Sequence, residues 1–155
     1  MTPWIVDGWN PLGTQPPADD HQVFELLTAA VFQARFRPAV VRDRWPSIRH
    51  AFADFNLETV ARWPDDKLAG LMLAEGMIRS PKKIRATLRN ARDLRARGEP
   101  FGSALAYLRS FGDDQEAVVR EVDHWAHYIG APSIRWFVRA LHGDNPDAPV
   151  RTDPA

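Results

Sequence analysis

The chain has 155 residues, 45% of them apolar, with six Trp and eight Phe, which is enough for one domain with a buried core. Its 20 basic and 20 acidic side chains cancel, so overall charge points to no partner, and the lack of cysteine excludes disulfides and thiolate metal sites. No apolar run approaches the ~20 residues of a membrane span and the N-terminus lacks a signal-peptide pattern, so a soluble intracellular protein is expected.

Residues 1–18, with Pro3, Pro11, Pro16, Pro17, Trp4 and Trp9, disfavour regular structure but offer aromatic anchors, and read as an ordered arm. Asp19 and Asp20 are good N-cap residues, and Val23, Phe24, Leu27, Val31 and Ala34 then recur at helical spacing, predicting a core helix to about Ala34. Gln33 to Pro38 reads as a loop. Pro38 and Pro46 each suit a helix start, so Val40, Val41, Ile48, Phe52 and Phe55 are expected on two short helices. Asn56 caps the next segment, and Pro64 is expected to open a helix carrying Leu68, Leu71 and Met72.

From Glu75 to Arg97 eight Lys and Arg face two acids, so the basic charge that is hidden in the net balance gathers here. Gly76 supplies a tight turn. Ser80 as N-cap, Pro81 at the first helical position and Gly98 past the last turn frame a long helix with Ile84, Leu88, Ala91 and Leu94 as its apolar stripe. Lys82, Arg85, Arg89 and Arg92 line a neighbouring face. A turn followed by a helix start offers free backbone N–H groups and the positive end of a helix dipole, a site that favours phosphate. Helix-hairpin-helix modules grip a DNA backbone in this way; the competing reading is a solvated basic helix face. Further helices are predicted near Ala104–Ser110, Gln115–Tyr128 and Ser133–Leu141, no strand pattern competes, and the Pro-containing tail after Gly143 reads as mobile.

Phe24-Glu25 with Leu27, Gln33-Ala34, Phe52 and Phe55 with Val60-Ala61, Gly76 with Ile78-Arg79, Lys83-Ile84, Asn90-Ala91, Gly98-Glu99-Pro100-Phe101 and Tyr107-Leu108 with Ser110-Phe111 stand in an order and at spacings that resemble the DNA-3-methyladenine glycosylase I family. Weaker similarity continues through Gly130, Pro132-Ser133, Phe137 and Ala140. The resemblance implies an all-α, helix-hairpin-helix glycosylase-like domain over 19–142, with an arm at 1–18 and a tail at 143–155. It further implies a protein that flips an alkylated base out of double-stranded DNA and hydrolyses its N-glycosidic bond. A monomer, cytoplasmic and nucleoid-associated if bacterial, with no cofactor, would fit such a role.

The departures from the family bear on chemistry. The glutamate that the family places three residues before Gln-Ala is Ala30, its pocket tryptophan falls at Pro38, its Gly-Leu is Arg35-Phe36, and the tryptophan before Ser-Phe is Arg109. Trp4, Asp7 and Trp9 are loose counterparts of its N-terminal aromatic and acidic residues. Its zinc staple needs two cysteines that this chain lacks, so no metal is expected. By resemblance the base pocket comprises Trp4, Trp9, Ala30, Gln33 and Pro38, and the catalytic position holds no acid. Phe36 takes the place of the family's apolar wedge, flanked by Arg35 and Arg37; the alternative is a loop aromatic folded onto the core. Gly76, Arg79, Ser80, Lys82 and Lys83 are the expected backbone contacts. Other candidates have weaker claims: His124 and His127 lack matching ligands for a shared metal, Asp19 and Asp20 suit helix caps, and Glu25 and Asp43 show no clear catalytic role.

Two functions remain open at this point. One is a DNA-binding member of that family acting on alkylated bases with altered or reduced activity; the other is a catalytically inactive DNA-binding or lesion-sensing protein on the same fold.

Overall fold

A computed structural model describes residues 8–143 of the chain, and Trp4, Asp7 and most of the expected tail lie outside the described residues. Eight α-helices follow one another among these residues: α1 Asp20–Gln33, α2 Pro38–Ala51, α3 Leu57–Ala61, α4 Lys67–Leu73, α5 Pro81–Gly98, α6 Ala104–Arg109, α7 Gln115–Trp125 and α8 Ala131–Leu141. Short 3₁₀ turns at Ala53–Phe55 and Glu99–Phe101 join α2 to α3 and α5 to α6. The fold is all-α.

Two helices organise it. In α1 every residue from Val23 to Phe32 is buried, including Glu25 and Thr28, which a helix can sustain only when neighbours cover all its faces. Helices α8, α5, α2 and α6 provide that cover. The Asp19 carboxylate accepts from Gln22 N at 2.9 Å and caps α1, whereas Asp20 accepts from Ala104 N at 3.0 Å and Leu105 N at 2.9 Å. One acidic pair thus starts two helices 84 residues apart in sequence, the second by a tertiary contact. Helix α5 buries Ile84, Leu88, Ala91 and Leu94 against α1, α3, α4 and α6, as its stripe predicts.

Four boundaries differ from the sequence reading, each for a local reason. Pro46 lies inside α2 instead of starting a helix of its own. It sits on the exposed face, and Arg42, whose carbonyl loses the hydrogen bond, is itself exposed. Pro64 precedes α4 in a turn in which Lys67 N and Leu68 N donate to the Pro64 and Asp65 carbonyls. Gly98 is the last residue of α5, with an ordinary helical φ of −74°, and the left-handed residue is Gly102 at +89°. Gly98 is required for another reason: a Cβ there would stand 2.5 Å from Ala104 N. Helix α7 ends at Trp125, so His124 and His127 do not share a helix.

Candidate functional site

The C-terminus of α1, the loop after it and the start of α8 enclose a cavity of about 410 Å³. Ala30, Gln33, Ala34, Arg35, Phe36 and Pro38 form one side, and Gly130, Pro132, Ser133 and Trp136 the other, with Gly8 between them. A volume in the range of ~300–1,000 Å³ and a mainly apolar wall are typical of small-molecule sites. Three of the five expected pocket residues, Ala30, Gln33 and Pro38, therefore meet in one cavity.

Gln33 shapes the cavity from the inside of the fold. Its Oε1 accepts from Trp9 N at 2.8 Å, and its Nε2 donates to the Trp9 and Ala29 carbonyls at 2.8 and 3.1 Å. The side chain fastens the N-terminal segment to α1, and its amide is spent on protein groups. Trp9 is a correction to the expected pocket: it does not line the cavity, and its ring stands edge-on to Trp45 with centroids 5.4 Å apart. Trp45 in turn donates from Nε1 to Glu25 Oε2 at 2.9 Å, and Arg49 Nη1 donates to Glu25 Oε1 at 2.9 Å. Glu25 is therefore a paired carboxylate inside the fold, away from the cavity wall.

Phe36 is 41% exposed in the loop at the cavity mouth, so its ring is not folded onto the core. Arg35 before it holds a left-handed φ of +54°. For a residue with a Cβ such a backbone costs roughly 1–2 kcal/mol, so surrounding contacts must hold the loop. Lys83 supplies them. Its ammonium donates to the Phe32 carbonyl at 2.6 Å and the Ala34 carbonyl at 2.9 Å, and lies 4.8 Å from the centre of the Phe36 ring. It satisfies carbonyls at the end of α1 that have no helical partner.

That placement corrects the expected role of Lys83. The residue is 7% exposed and its donors are turned inward, so it does not offer a phosphate contact. Burial pushes its ammonium down to about 8. The remaining expected contacts lie in the Gly76 turn and the first turn of α5. Gly76 makes the turn with φ +77°, and a Cβ there would meet Ser47 Oγ at 2.4 Å. Ser80 Oγ accepts from Lys83 N at 3.3 Å and caps α5. Arg79, Lys82, Arg85 and Arg89 are exposed beside this helix start. Arg92 is otherwise engaged, with Asp65 Oδ1 at 2.7 Å and the Trp63 carbonyl at 2.8 Å, and holds the Asp65 carboxyl below its usual range.

Sequence reasoning missed the second wall of the cavity. Gly130, Pro132 and Ser133 carry only weak resemblance, and Trp136 is one of six tryptophans with nothing in its neighbours to mark it. Trp136 is buried and, among the described residues, its Nε1 donor has no hydrogen-bond partner. Periodicity places it on a helix, but only the packing of α8 on α1 brings it to Ala30. His127 serves the structure, since its backbone pairs with the Asn90 side chain and its ring with Asp93 at 2.6 Å. Among the described residues no group of three or more His, Asp and Glu gathers to hold a metal, and no helix is long and apolar enough to cross a membrane.

An all-helical domain with a base-sized cavity at the end of a buried helix, beside a basic helix start, has the form of a DNA glycosylase. A family model for methyladenine glycosylases matches residues 10–131, and the chain belongs to that family, whose members' partner is DNA. Among solved structures, a crystal structure of a 3-methyladenine DNA glycosylase I is 19% identical, with 94% of this chain and 91% of that chain covered at a TM-score of 0.73. The 3-methyladenine DNA glycosylase I of Staphylococcus aureus is 18% identical, with coverage of 96% and 91% and a TM-score of 0.73. A point variant of a 3-methyladenine DNA glycosylase I, solved in complex with 3-methyladenine, is 18% identical, with coverage of 99% and 92% and a TM-score of 0.75. At these identities the likeness establishes the fold.

Proposed function

We propose that the chain is a helix-hairpin-helix protein that binds duplex DNA through the Gly76 turn and the start of α5, extrudes a base past Phe36 and receives it in the cavity at Ala30. Excision of alkylated bases is then reduced or redirected. The observation that carries this reading is the cavity itself: Ala30, at the position where the resemblance places a glutamate, lines it together with Gln33, Pro38 and the exposed Phe36.

Phosphate contacts from Arg79 and Lys82 position the protein without reading sequence, and the loss of counterions makes the affinity depend on salt. Phe36 can fill the gap that a flipped base leaves in the stack. An N3-alkylated adenine is cationic and already a good leaving group, so its hydrolysis asks less of a general acid than removal of an ordinary base. A missing carboxylate still removes an electrostatic contribution of the kind worth about 10²–10⁴-fold.

A second reading is favoured by one feature: among the described residues lining the cavity there is no carboxylate. On that reading the protein holds a damaged base without cleaving it. Release of methylated bases from treated duplex DNA, measured beside binding to an abasic-site duplex, decides between the two. Slow but enzyme-dependent release supports the first; tight abasic-site binding with no release supports the second; neither would refute both.

A further inference from the structure

Arg35 and Phe36 line two depressions: the cavity at Ala30, and an open groove of about 690 Å³ whose other lining residues are Arg37 and Val40. Both arginines are exposed, and among the described residues neither has a hydrogen-bond or ion-pair partner. Several other arginines hold a carboxylate, as Arg49 does with Glu25 and Arg92 with Asp65. Arg35 also stands at a left-handed φ of +54°, where glycine would be unstrained. A long cation is thus kept at a costly backbone position beside the exposed ring. The loop that carries it is anchored, because the Lys83 ammonium donates to the Phe32 and Ala34 carbonyls and lies 4.8 Å from the centre of the Phe36 ring.

We propose that Arg35 and Arg37 read the base left behind in the opposite strand and prefer cytosine there, so that the base delivered to the cavity derives from guanine. The proposal rests on the reading of Phe36 as the side chain that fills the stack, and it names the substrate class of that site. When a base leaves the helix, the Watson–Crick edge of its partner loses its hydrogen bonds. The groups nearest that edge are the ring that fills the gap and the side chains on either side of it. A guanidinium presents parallel N–H donors and no acceptor, so it pairs best with two adjacent acceptors. Cytosine offers N3 and O2 side by side. Thymine interposes a ring N–H between its two carbonyls, guanine sets a ring N–H beside its only carbonyl, and adenine sets an amine beside N1. Cytosine alone takes the fork without turning donor against donor. In an ordinary pair its partner is guanine, which fixes the class of base extruded.

Four duplexes that carry a tetrahydrofuran abasic site opposite cytosine, thymine, adenine or guanine test this by their affinity for the full chain. Cytosine is expected to be preferred about tenfold, the discrimination of one bidentate arginine contact. The double variant Arg35→Lys, Arg37→Lys keeps both charges but not the planar fork. Its folding is not at issue, since both positions are exposed and Arg37 makes no side-chain cap for α2. It should bind all four duplexes with the parent's salt slope and a preference below about twofold. Equal binding of the four duplexes by the parent overturns the proposal and leaves the DNA reading standing. A preference that survives in the double variant also overturns it, because the arginines would then be phosphate contacts. Binding to none of the duplexes refutes the DNA reading, and the proposal with it.

Discussion

At residue 30 a methyl group stands in the cavity wall, 2% exposed, where the family resemblance puts a carboxylate. Restoring an acid there tests how much of the chemistry hangs on it. Ala30→Glu should raise single-turnover release of 3-methyladenine from methylated duplex by roughly ten- to a hundredfold, a share of the ~10²–10³ that one well-placed group contributes. Rapid release by the unmodified chain would show instead that another residue fills the role. At Lys83 the consequence is thermodynamic. Its ammonium titrates near 8 when folded and near 10.5 when unfolded, so between those values the unfolded chain holds a proton that the folded chain has lost. Stability from this group therefore rises as pH climbs from about 8 to about 10.5, and below pH 8 the buried charge is a standing cost. Urea denaturation at about pH 7.5 and about pH 10 should show this rise relative to Lys83→Met, in which it is absent. A variant with the same pH dependence as the parent would contradict the burial of that charge.

At the scale of elements, the start of α5 gives its two lysines different roles. Lys82 faces solvent with Arg79, whereas Lys83 reaches back to the end of α1 and holds the Phe36 loop. Replacing Arg79 and Lys82 together by Ala should weaken binding to all duplex sequences and flatten the log–log salt slope by roughly two units. An unchanged slope would move the DNA surface elsewhere. Lys83→Met should instead leave the slope alone and lower base extrusion, read by the fluorescence of a 2-aminopurine beside the lesion. The junction of α5 and α6 makes a packing prediction. Ala is the better helix former by about 1 kcal/mol, yet at Gly98 its Cβ would press on the Ala104 backbone at 2.5 Å, and such overpacking costs about 1–3 kcal/mol. Gly98→Ala should therefore destabilise the protein, measurable as a lower urea midpoint.

Across the whole molecule, partly buried polar contacts tie distant helices together. Tyr107 donates to the Glu121 carboxylate and accepts from Trp125 Nε1 at 3.1 Å, and Arg97 Nη1 stands 3.2 Å from Glu121, so α5, α6 and α7 meet in one network. Burial and the neighbouring carboxylate push the Tyr107 hydroxyl up to about 12. With no cysteine and no cluster of ligands among the described residues, a chelator should leave the melting temperature unchanged. Stoichiometric zinc in the purified protein would refute this.

What the chain fixes by itself is whatever depends on neighbours in sequence. The apolar spacing of α1 and α5, the caps at Asp19, Asn56 and Ser80 and the turn at Gly76 were all legible, because a 3.6-residue period and a capping side chain act within a few residues. The family was legible too, through short motifs held in register from Phe24 to Phe111. Roles that depend on distant partners were not. Whether Lys83 faces phosphate or a carbonyl, and whether Asp20 caps its own helix or one that begins at Ala104, depends on which helix packs alongside. The second wall of the cavity is of the same kind: Trp136 lies 106 positions beyond Ala30 and becomes its neighbour only when α8 packs on α1, burying an indole donor that local sequence cannot distinguish from any other core tryptophan.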